Sequence, residues 1–253
     1  MDDTQRILLA LLAVFVAALV LGTRRAAQGM APAVRPIPAF GLLRDALRHA
    51  TEAGRALHVA LGSGSVWGSS TADSLAGLQV LESVAAHAAP LGPRSRPIVT
   101  VGDATLLLLA QLALRRPYRD APTGQLRSRP APDVRWLSPA PAAYAAGVMG
   151  TLGSGAKRVQ ASVMVGVFGD EYLLMGEAGV RHHVCQVGGA SQPTVLPFVH
   201  VTADECLLGE DMYAAGAYLA GKPWHIGSLW AQDVLRWVIV LAIIGGVVVN
   251  TVM

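Results

Sequence analysis

The residues best placed to bind a ligand follow three short apolar segments of the sequence. These segments, residues 57–62, 97–102 and 134–138, predict buried strands. If the strands are parallel, the turns after them share one edge of the sheet, where N–H groups at helix starts favour anions. The candidate ligand-binding residues in these turns are Gly62, Ser63, Gly64, Asp103 and Ser138. Plain turn and helix-cap roles are the favoured interpretation of these residues, and a binding site for a nucleotide or another small anion is the alternative.

The glycine-rich turn after the first strand matches known phosphate-binding loops only in part. Its glycines are at positions 62, 64 and 68, which is not the GxGxxG interval of a dinucleotide loop. The turn also lacks the lysine of a P-loop, and the carboxylate of Asp103 would repel phosphate unless a metal intervened. The sequence therefore leaves the cofactor unknown.

The histidines and cysteines form no pattern typical of a metal site or of nucleophilic catalysis. The metal-type side chains that cluster in the sequence are His182, His183, Cys185, His200 and Cys206. On a strand, His183 and Cys185 would point to one face and His182 to the other, so the three would not converge. We therefore assign no metal ligand and no catalytic residue, and the sequence favours a protein that is not an enzyme.

The elements that would position these turns alternate along the chain. The predicted helices span residues 41–57, 71–89, 104–116 and 141–149. Ser70 and Asp73 are the expected cap of the second helix. Strand and helix in alternation imply parallel pairing with right-handed crossovers.

The pattern changes after Gly155. The segments RVQASVMVGVF and YLLMGEAG predict an antiparallel hairpin, and VCQVGG and TVLPFVHVTA predict further strands. A last helix is predicted over 209–220. The expected fold class is α/β, with a doubly wound, mainly parallel, Rossmann-like sheet that has an antiparallel extension.

Both ends of the chain carry apolar segments that predict membrane-spanning helices. The chain of 253 residues is 53% hydrophobic and 15% charged, whereas soluble domains carry about 25% charged residues. We predict transmembrane helices at 5–23 and 235–253, a proline-containing linker at 24–40, and an α/β domain at 41–229. Acidic residues before the first segment and arginines after it argue against a cleaved signal peptide.

Basic residues predict the orientation of these helices. Arg24, Arg25 and Arg35 follow the first apolar segment. Lys222 and Arg236 precede the second, and no basic residue follows it. Because cytoplasmic flanks are enriched in Lys and Arg, we predict a two-pass protein of the cytoplasmic (inner) membrane. Both termini would be outside, and the α/β domain would be in the cytoplasm.

The charge distribution predicts which partners are plausible. The net charge of +3 is too small to predict nucleic-acid binding. The stretch 94–135 is locally basic, with eight arginines against three aspartates. An anionic lipid or an acidic protein is the expected partner of this stretch, and a solvated loop is the alternative.

Three segments of the chain carry a resemblance to a known family. They are PIVTVGDATLL (97–107), EYLLMGEAG (171–179) and GEDMYAAGAYLAGKPWHIGSLWAQDVLRW (209–237). From about residue 38 to its end, the chain resembles a family of uncharacterised bacterial integral membrane proteins defined as a domain of unknown function. The resemblance implies an α/β body between transmembrane helices, and it brings no catalytic residues.

Two functional hypotheses follow. The leading hypothesis is a membrane-anchored, non-enzymatic interaction or assembly module, which forms a homo-oligomer or is a subunit of a membrane complex. In that case we expect Gly245 and Gly246 to lie near a contact between helices in the bilayer. The alternative is a nucleotide- or small-anion-binding sensor or enzyme that uses the carboxyl edge of the parallel sheet.

Overall fold

The computed structural model describes residues 3–30, 35–92, 96–120, 133–154 and 159–252. The chain divides into two compact units. One unit is Ile37–Ala215, and the other combines Met1–Pro36 with Gly216–Met253. The candidate ligand-binding residues belong to the first unit, and the two long terminal helices belong to the second.

The first unit is built on a six-stranded sheet in the order β3-β2-β1-β4-β5-β6. The strands are β1 (Ala56–Gly62), β2 (Ile98–Val101), β3 (Val134–Trp136), β4 (Val159–Val167), β5 (Cys185–Ala190) and β6 (Glu205–Leu208). Every pair of neighbouring strands in this sheet is parallel. The predicted α/β class with a mainly parallel sheet is therefore confirmed.

Helices cover both faces of this sheet. Those of the first unit are α2 (Pro38–Glu52), α3 (Thr71–Ala88), α4 (Ala104–Asp120), α5 (Pro141–Gly153), α6 (Tyr172–Arg181) and α7 (Leu196–Thr202). Right-handed crossovers place α3 and α4 on one face and α5, α6 and α7 on the other. Packing agrees, because Tyr144, Met175 and Val199 of the last three helices share one buried cluster. Strands covered on both faces read as continuous apolar runs, which is why β1 was predictable.

The predicted antiparallel extension is wrong. The segment after β4 forms helix α6, and β5 returns parallel to β4 with Val163 beside Val187. The buried residues of α6 have helical spacing. Leu173 and Leu174 are apolar but exposed, so they make the run continuously apolar and similar to a strand in sequence. The segment TVLPFVHVTA is also not a strand, because it contains α7. Pro197 lies in the first turn of this helix, where proline is tolerated.

The segment predicted as a helix over 209–220 is irregular. A 3₁₀ helix covers Gly209–Ala214 and a π-helical turn covers Gly216–Ala220. The boundary between the two units falls between these two elements.

The second unit is a pair of long helices, α1 (Asp3–Ala27) and α8 (Pro223–Val252). Both are long and apolar enough to span a membrane. They extend beyond the predicted transmembrane segments, because α1 continues to Ala27 and α8 begins at Pro223. The end of α1 lies beside the start of α8, so the two helices run antiparallel.

A close approach of small residues holds α1 and α8 together. A Cβ atom at Gly22 would lie 3.1 Å from the carbonyl oxygen of Gly227 and 2.9 Å from Cε3 of Trp230. Ala18, one turn before Gly22, and Ala231, one turn after Gly227, are also buried. Small residues one turn apart let helix backbones approach closely. By contrast, a Cβ at Gly245 or Gly246 would meet no atom within 4 Å, and the role of these glycines in an oligomer stays a prediction.

Candidate functional site

The carboxyl edge of the sheet brings the predicted turns together. Gly62 ends β1 with φ at 81°, a conformation that favours glycine. The amide of Gly102, after β2, donates a hydrogen bond of 2.9 Å to the carbonyl of Gly62. A Cβ at Gly102 would lie 2.8 Å from Cα of Ser63 and 2.8 Å from the carbonyl oxygen of Ser138. Ser63, Gly102 and Ser138 therefore lie close together at this edge, and Asp103 directly follows Gly102. Their role in ligand binding stays a prediction.

The glycine-rich turn packs against the protein itself. The Ser63 amide donates a hydrogen bond of 3.1 Å to the carbonyl of Val167, at the end of β4. A Cβ at Gly64 would collide with the side chain of Val167. In a dinucleotide site, the second glycine leaves room for the pyrophosphate. Here the side chain of Val167 fills the space beside Gly64.

Asp103 caps the start of α4. Its Oδ1 accepts hydrogen bonds from the amides of Thr105 (2.9 Å) and Leu106 (3.1 Å) and from the Thr105 hydroxyl. Desolvation raises the pKa of Asp103, but these hydrogen bonds outweigh it and hold the pKa below its ordinary value. The observed contacts thus match the cap role, which the sequence favours over ligand binding.

A second carboxylate at this edge has partners that the sequence analysis missed. Asp73 is only 7% exposed in the first turn of α3. It does not cap the helix as predicted, because its oxygens accept hydrogen bonds from the Ser191 hydroxyl (2.5 Å) and the Tyr213 hydroxyl. Ser191 follows β5 and Tyr213 follows β6, so this carboxylate connects the start of α3 to the segments after β5 and β6. Burial, together with the hydrogen bond to Asp73, raises the pKa of Tyr213.

A third carboxylate lies before α6. Oε1 of Glu171 accepts a hydrogen bond of 2.9 Å from the amide of Gly169. The side chain of Glu171 is buried, like that of Asp73. The starts of α3, α4 and α6 therefore each hold a carboxylate of the chain itself.

The loops at the carboxyl edge carry acidic residues and no basic ones. These loops and the helix starts that follow them are residues 63–74, 102–106, 137–141, 168–172, 191–195 and 209–214. Their charged residues are Asp73, Asp103, Asp170, Glu171, Glu210 and Asp211. In a parallel α/β unit the positive ends of the helix dipoles lie at this edge, which favours carboxylates there. The same negative charge is unfavourable for a phosphate.

A buried polar network runs beneath the turn after β1. His58 of β1 is fully buried, with Nδ1 2.9 Å from the Ser162 hydroxyl and Nε2 3.0 Å from the Thr100 hydroxyl. The Tyr144 hydroxyl donates to the Thr100 carbonyl (3.1 Å) and accepts the Gly62 amide (3.1 Å). Burial, assisted by the charge of Arg135, lowers the pKa of His58 to about 3. The network thus connects a neutral histidine in the sheet to the backbone of the candidate site.

Three polar residues in the sequence indicate this network. His58, Thr100 and Ser162 are isolated polar residues within the apolar runs of β1, β2 and β4. A polar side chain buried in an apolar strand needs a hydrogen-bonding partner. Sequence patterns do not show which residues lie opposite each other in adjacent strands, so the partners were not predictable.

The histidine and cysteine cluster does not form a metal site in the described part of the chain. No group of three or more His, Cys, Asp or Glu side chains there is arranged to hold a metal ion. His183 lies in a turn with φ at 54°, after α6 and before β5. Burial raises the pKa of both Cys185 and Cys206, which disfavours the reactive thiolate.

The comparisons with known proteins identify a family but no activity. A family model described as a domain of unknown function (DUF6754) matches residues 1–253. No curated protein and no solved structure matches the chain. The resemblance to a domain of unknown function is confirmed, and it extends over the N-terminal segment as well.

Proposed function

The chain belongs to the DUF6754 family of unknown function, and from its geometry we propose that it is a membrane-anchored, non-enzymatic interaction module. Its two apolar helices hold it in the bilayer, and its α/β unit binds a partner protein. The observation that carries this proposal is the occupied carboxyl edge. Asp103 caps α4 there, the carboxylates of Asp73 and Glu171 bind other groups of the chain at the same edge, and Val167 fills the space beside Gly64.

Helix α4 offers the surface that we propose for the partner. Leu108 is 63% exposed and Leu112, one turn later, is 60% exposed. Arg115 and Arg116 follow on the next turn and are also exposed. Two adjacent leucines beside exposed cations suit a partner with an acidic, partly apolar face. Of the other arginines in the predicted basic stretch, Arg94, Arg127 and Arg129 lie outside the described residues, and Arg135 pairs with Asp133 at 2.8 Å.

Site-specific photocrosslinking in intact cells tests this surface. A photoreactive amino acid at Leu108 or Leu112 should give discrete adducts, and mass spectrometry then separates a second copy from another protein. The matched control is Val180, an exposed apolar residue on α6. In the charge reversal Arg115→Glu/Arg116→Glu, the adducts should disappear. If position 108 gives no more adduct than position 180, or if charge reversal leaves the adducts unchanged, the proposal is wrong.

We further propose a two-pass topology with both termini outside the cytoplasm. The antiparallel pairing of α1 and α8 supports this, because it carries both chain ends to the same end of the helix pair. Arg24, Arg25 and Lys222 lie at the opposite end, where the enrichment of cytoplasmic flanks in basic residues applies. The α/β unit would then lie in the cytoplasm.

The strand order favours a second candidate function. The order 3-2-1-4-5-6 is that of dinucleotide-binding folds, whose ligands bind where the order reverses, between β1 and β4. We keep a small-molecule sensor or enzyme as the alternative, with a nucleotide–metal complex as the ligand because the edge is acidic. Thermal unfolding with nucleotides, with and without Mg²⁺, discriminates between the two. A true ligand at 100 times its Kd stabilises the protein by about 2.7 kcal/mol, whereas an interaction module should not respond.

A further inference from the structure

We propose that two copies of this chain bind head to tail, with helix α4 of one copy against the carboxyl edge of the sheet of the other. The surface on α4, here called the α4 stripe, is Leu108, Leu112, Arg115 and Arg116. The surface at the carboxyl edge, here called the edge patch, is Trp67, Asp170, Glu210, Asp211 and Tyr213. Both belong to the α/β unit. The inference rests on the proposed interaction module, and it names the partner of α4 as a second copy of this chain.

The α4 stripe faces away from the sheet of its own molecule. At 3.6 residues per turn, its four residues lie within an arc of about 100° around the helix. The buried residues on the other side of the helix, which pack against the rest of the unit, are Leu106, Ala110 and Leu114. What covers the stripe therefore belongs to another molecule.

Hydrogen bonds to the start of α3 hold two parts of the edge patch together. The loop that carries Trp67 is tied to this helix start, because the Ser70 hydroxyl donates a hydrogen bond of 3.0 Å to the Ser65 carbonyl. The Tyr213 hydroxyl donates to Asp73 in the first turn of the same helix. The segment after β6 therefore lies beside the loop after β1.

The loop after β4 completes the edge patch. It adjoins the loop after β1, because the Ser63 amide donates a hydrogen bond of 3.1 Å to the carbonyl of Val167. Asp170 follows Val167 by three residues and is exposed. Trp67 is 77% exposed and Tyr213 is 40% exposed. The patch thus presents aromatic rings and carboxylates to the solvent.

The two surfaces are complementary in charge and in size. The stripe offers two cations beside two leucines, whereas the loops of the carboxyl edge carry carboxylates and no basic residue. Arginine binds carboxylates and also stacks on tryptophan. The stripe is about 12 Å long, and the four neighbouring strands β1, β4, β5 and β6 span about 14 Å. Since the two surfaces differ, each copy can dock onto one neighbour and receive another.

Photocrosslinking between two differently tagged full-length copies tests the contact. One copy carries a photoreactive amino acid at Leu112, and the co-expressed second copy carries none. The adduct should contain both tags, and its peptides should map to residues 63–70 or 209–214 of the second copy. An adduct that maps to α4 of the second copy would overturn the head-to-tail contact.

Charge reversal in the copy without the probe distinguishes the two surfaces. Asp170→Lys/Asp211→Lys in that copy should reduce the adduct about tenfold. Arg115→Glu/Arg116→Glu in the same copy should leave it unchanged, because the α4 stripe of that copy faces a different neighbour. The opposite pattern would overturn the proposal. Placing Arg115→Glu/Arg116→Glu in the copy with the probe, opposite Asp170→Lys/Asp211→Lys, should restore the adduct, and a failure to restore it would also overturn the proposal.

Two further variants control for charge and for folding. Asp45→Lys/Glu52→Lys on α2 makes the same change of charge at two exposed carboxylates and should leave the adduct unchanged. Trp67→Ala should reduce the adduct without lowering the melting temperature, because this side chain is 77% exposed. An adduct that Trp67→Ala leaves unreduced would overturn the edge patch.

Failure of the proposed function gives a different result. An adduct at Leu112 that contains another protein, and no second copy, supports the interaction module and refutes only the head-to-tail contact. No adduct above that of a probe at the exposed control Val180 refutes the interaction module itself.

Discussion

Replacing the buried His58 should change how the stability of the protein depends on pH. Folding places this ring among apolar side chains, with hydrogen bonds to Ser162 and Thr100. Burial and the charge of Arg135 lower its pKa from 6.5 to about 3. Above pH 6.5 the ring is neutral in both the folded and the unfolded chain, so it causes no pH dependence there.

Below pH 6.5 the unfolded chain takes up a proton that the folded protein does not. The free energy of unfolding then falls by about 1.36 kcal/mol for each pH unit until the pH reaches the folded pKa near 3. Between pH 6.5 and pH 5 the loss from His58 is about 2 kcal/mol. For a unit of this size, that corresponds to a melting temperature about 4 to 8 °C lower.

The assay compares thermal unfolding of the full-length protein in detergent at pH 7.5 and pH 5. The variant His58→Gln cannot titrate in this range, and its amide can donate and accept hydrogen bonds in place of the ring. Its melting temperature should fall less than that of wild type, by the amount calculated above. The control His200→Gln removes an exposed histidine and should behave like wild type. An equal fall in wild type and His58→Gln would refute the reasoning.

The remaining predictions concern the cap, the helix pair and the topology. Asp103→Ala should lower the free energy of unfolding by about 1 to 2 kcal/mol, and Asp103→Asn by less, because Asn also caps helices; equal losses in thermal unfolding would contradict the cap. Gly22→Leu should lower the melting temperature by overpacking the helix pair, at a cost of about 1 to 3 kcal/mol, whereas Gly245→Leu meets no neighbouring atom and should not. In a cysteine-free background, an impermeant thiol reagent should label Asp3→Cys but not Val201→Cys in intact cells; the reverse pattern would contradict the topology.

Local patterns were sufficient for much of the α/β unit. The apolar runs predicted β1, β2 and β3, and the helical spacing predicted α3 and α5. These patterns depend on short stretches of chain, so a sequence shows them directly. The convergence of Ser63 and Ser138 was also predictable, because the carboxyl ends of parallel strands share one edge.

The same reasoning failed after β4 because local pattern and tertiary packing disagree there. Leu173 and Leu174 are exposed on α6, so their apolar character gives no information on which face is buried. Without that helix there is no crossover, and the parallel direction of β5 cannot be predicted. The strand direction was therefore decided by packing.

What the sequence by itself determined is the strands and helices of the first half of the α/β unit, from α2 to α5, and that both ends are apolar enough to span a membrane. Only the tertiary structure decided the partners of the polar groups. Asp73 meets Ser191 and Tyr213, 118 and 140 residues away, and Gly22 meets Gly227. The physical reason is that hydrophobic periodicity reports burial residue by residue, whereas hydrogen bonds and close packing depend on which distant segments the fold brings together.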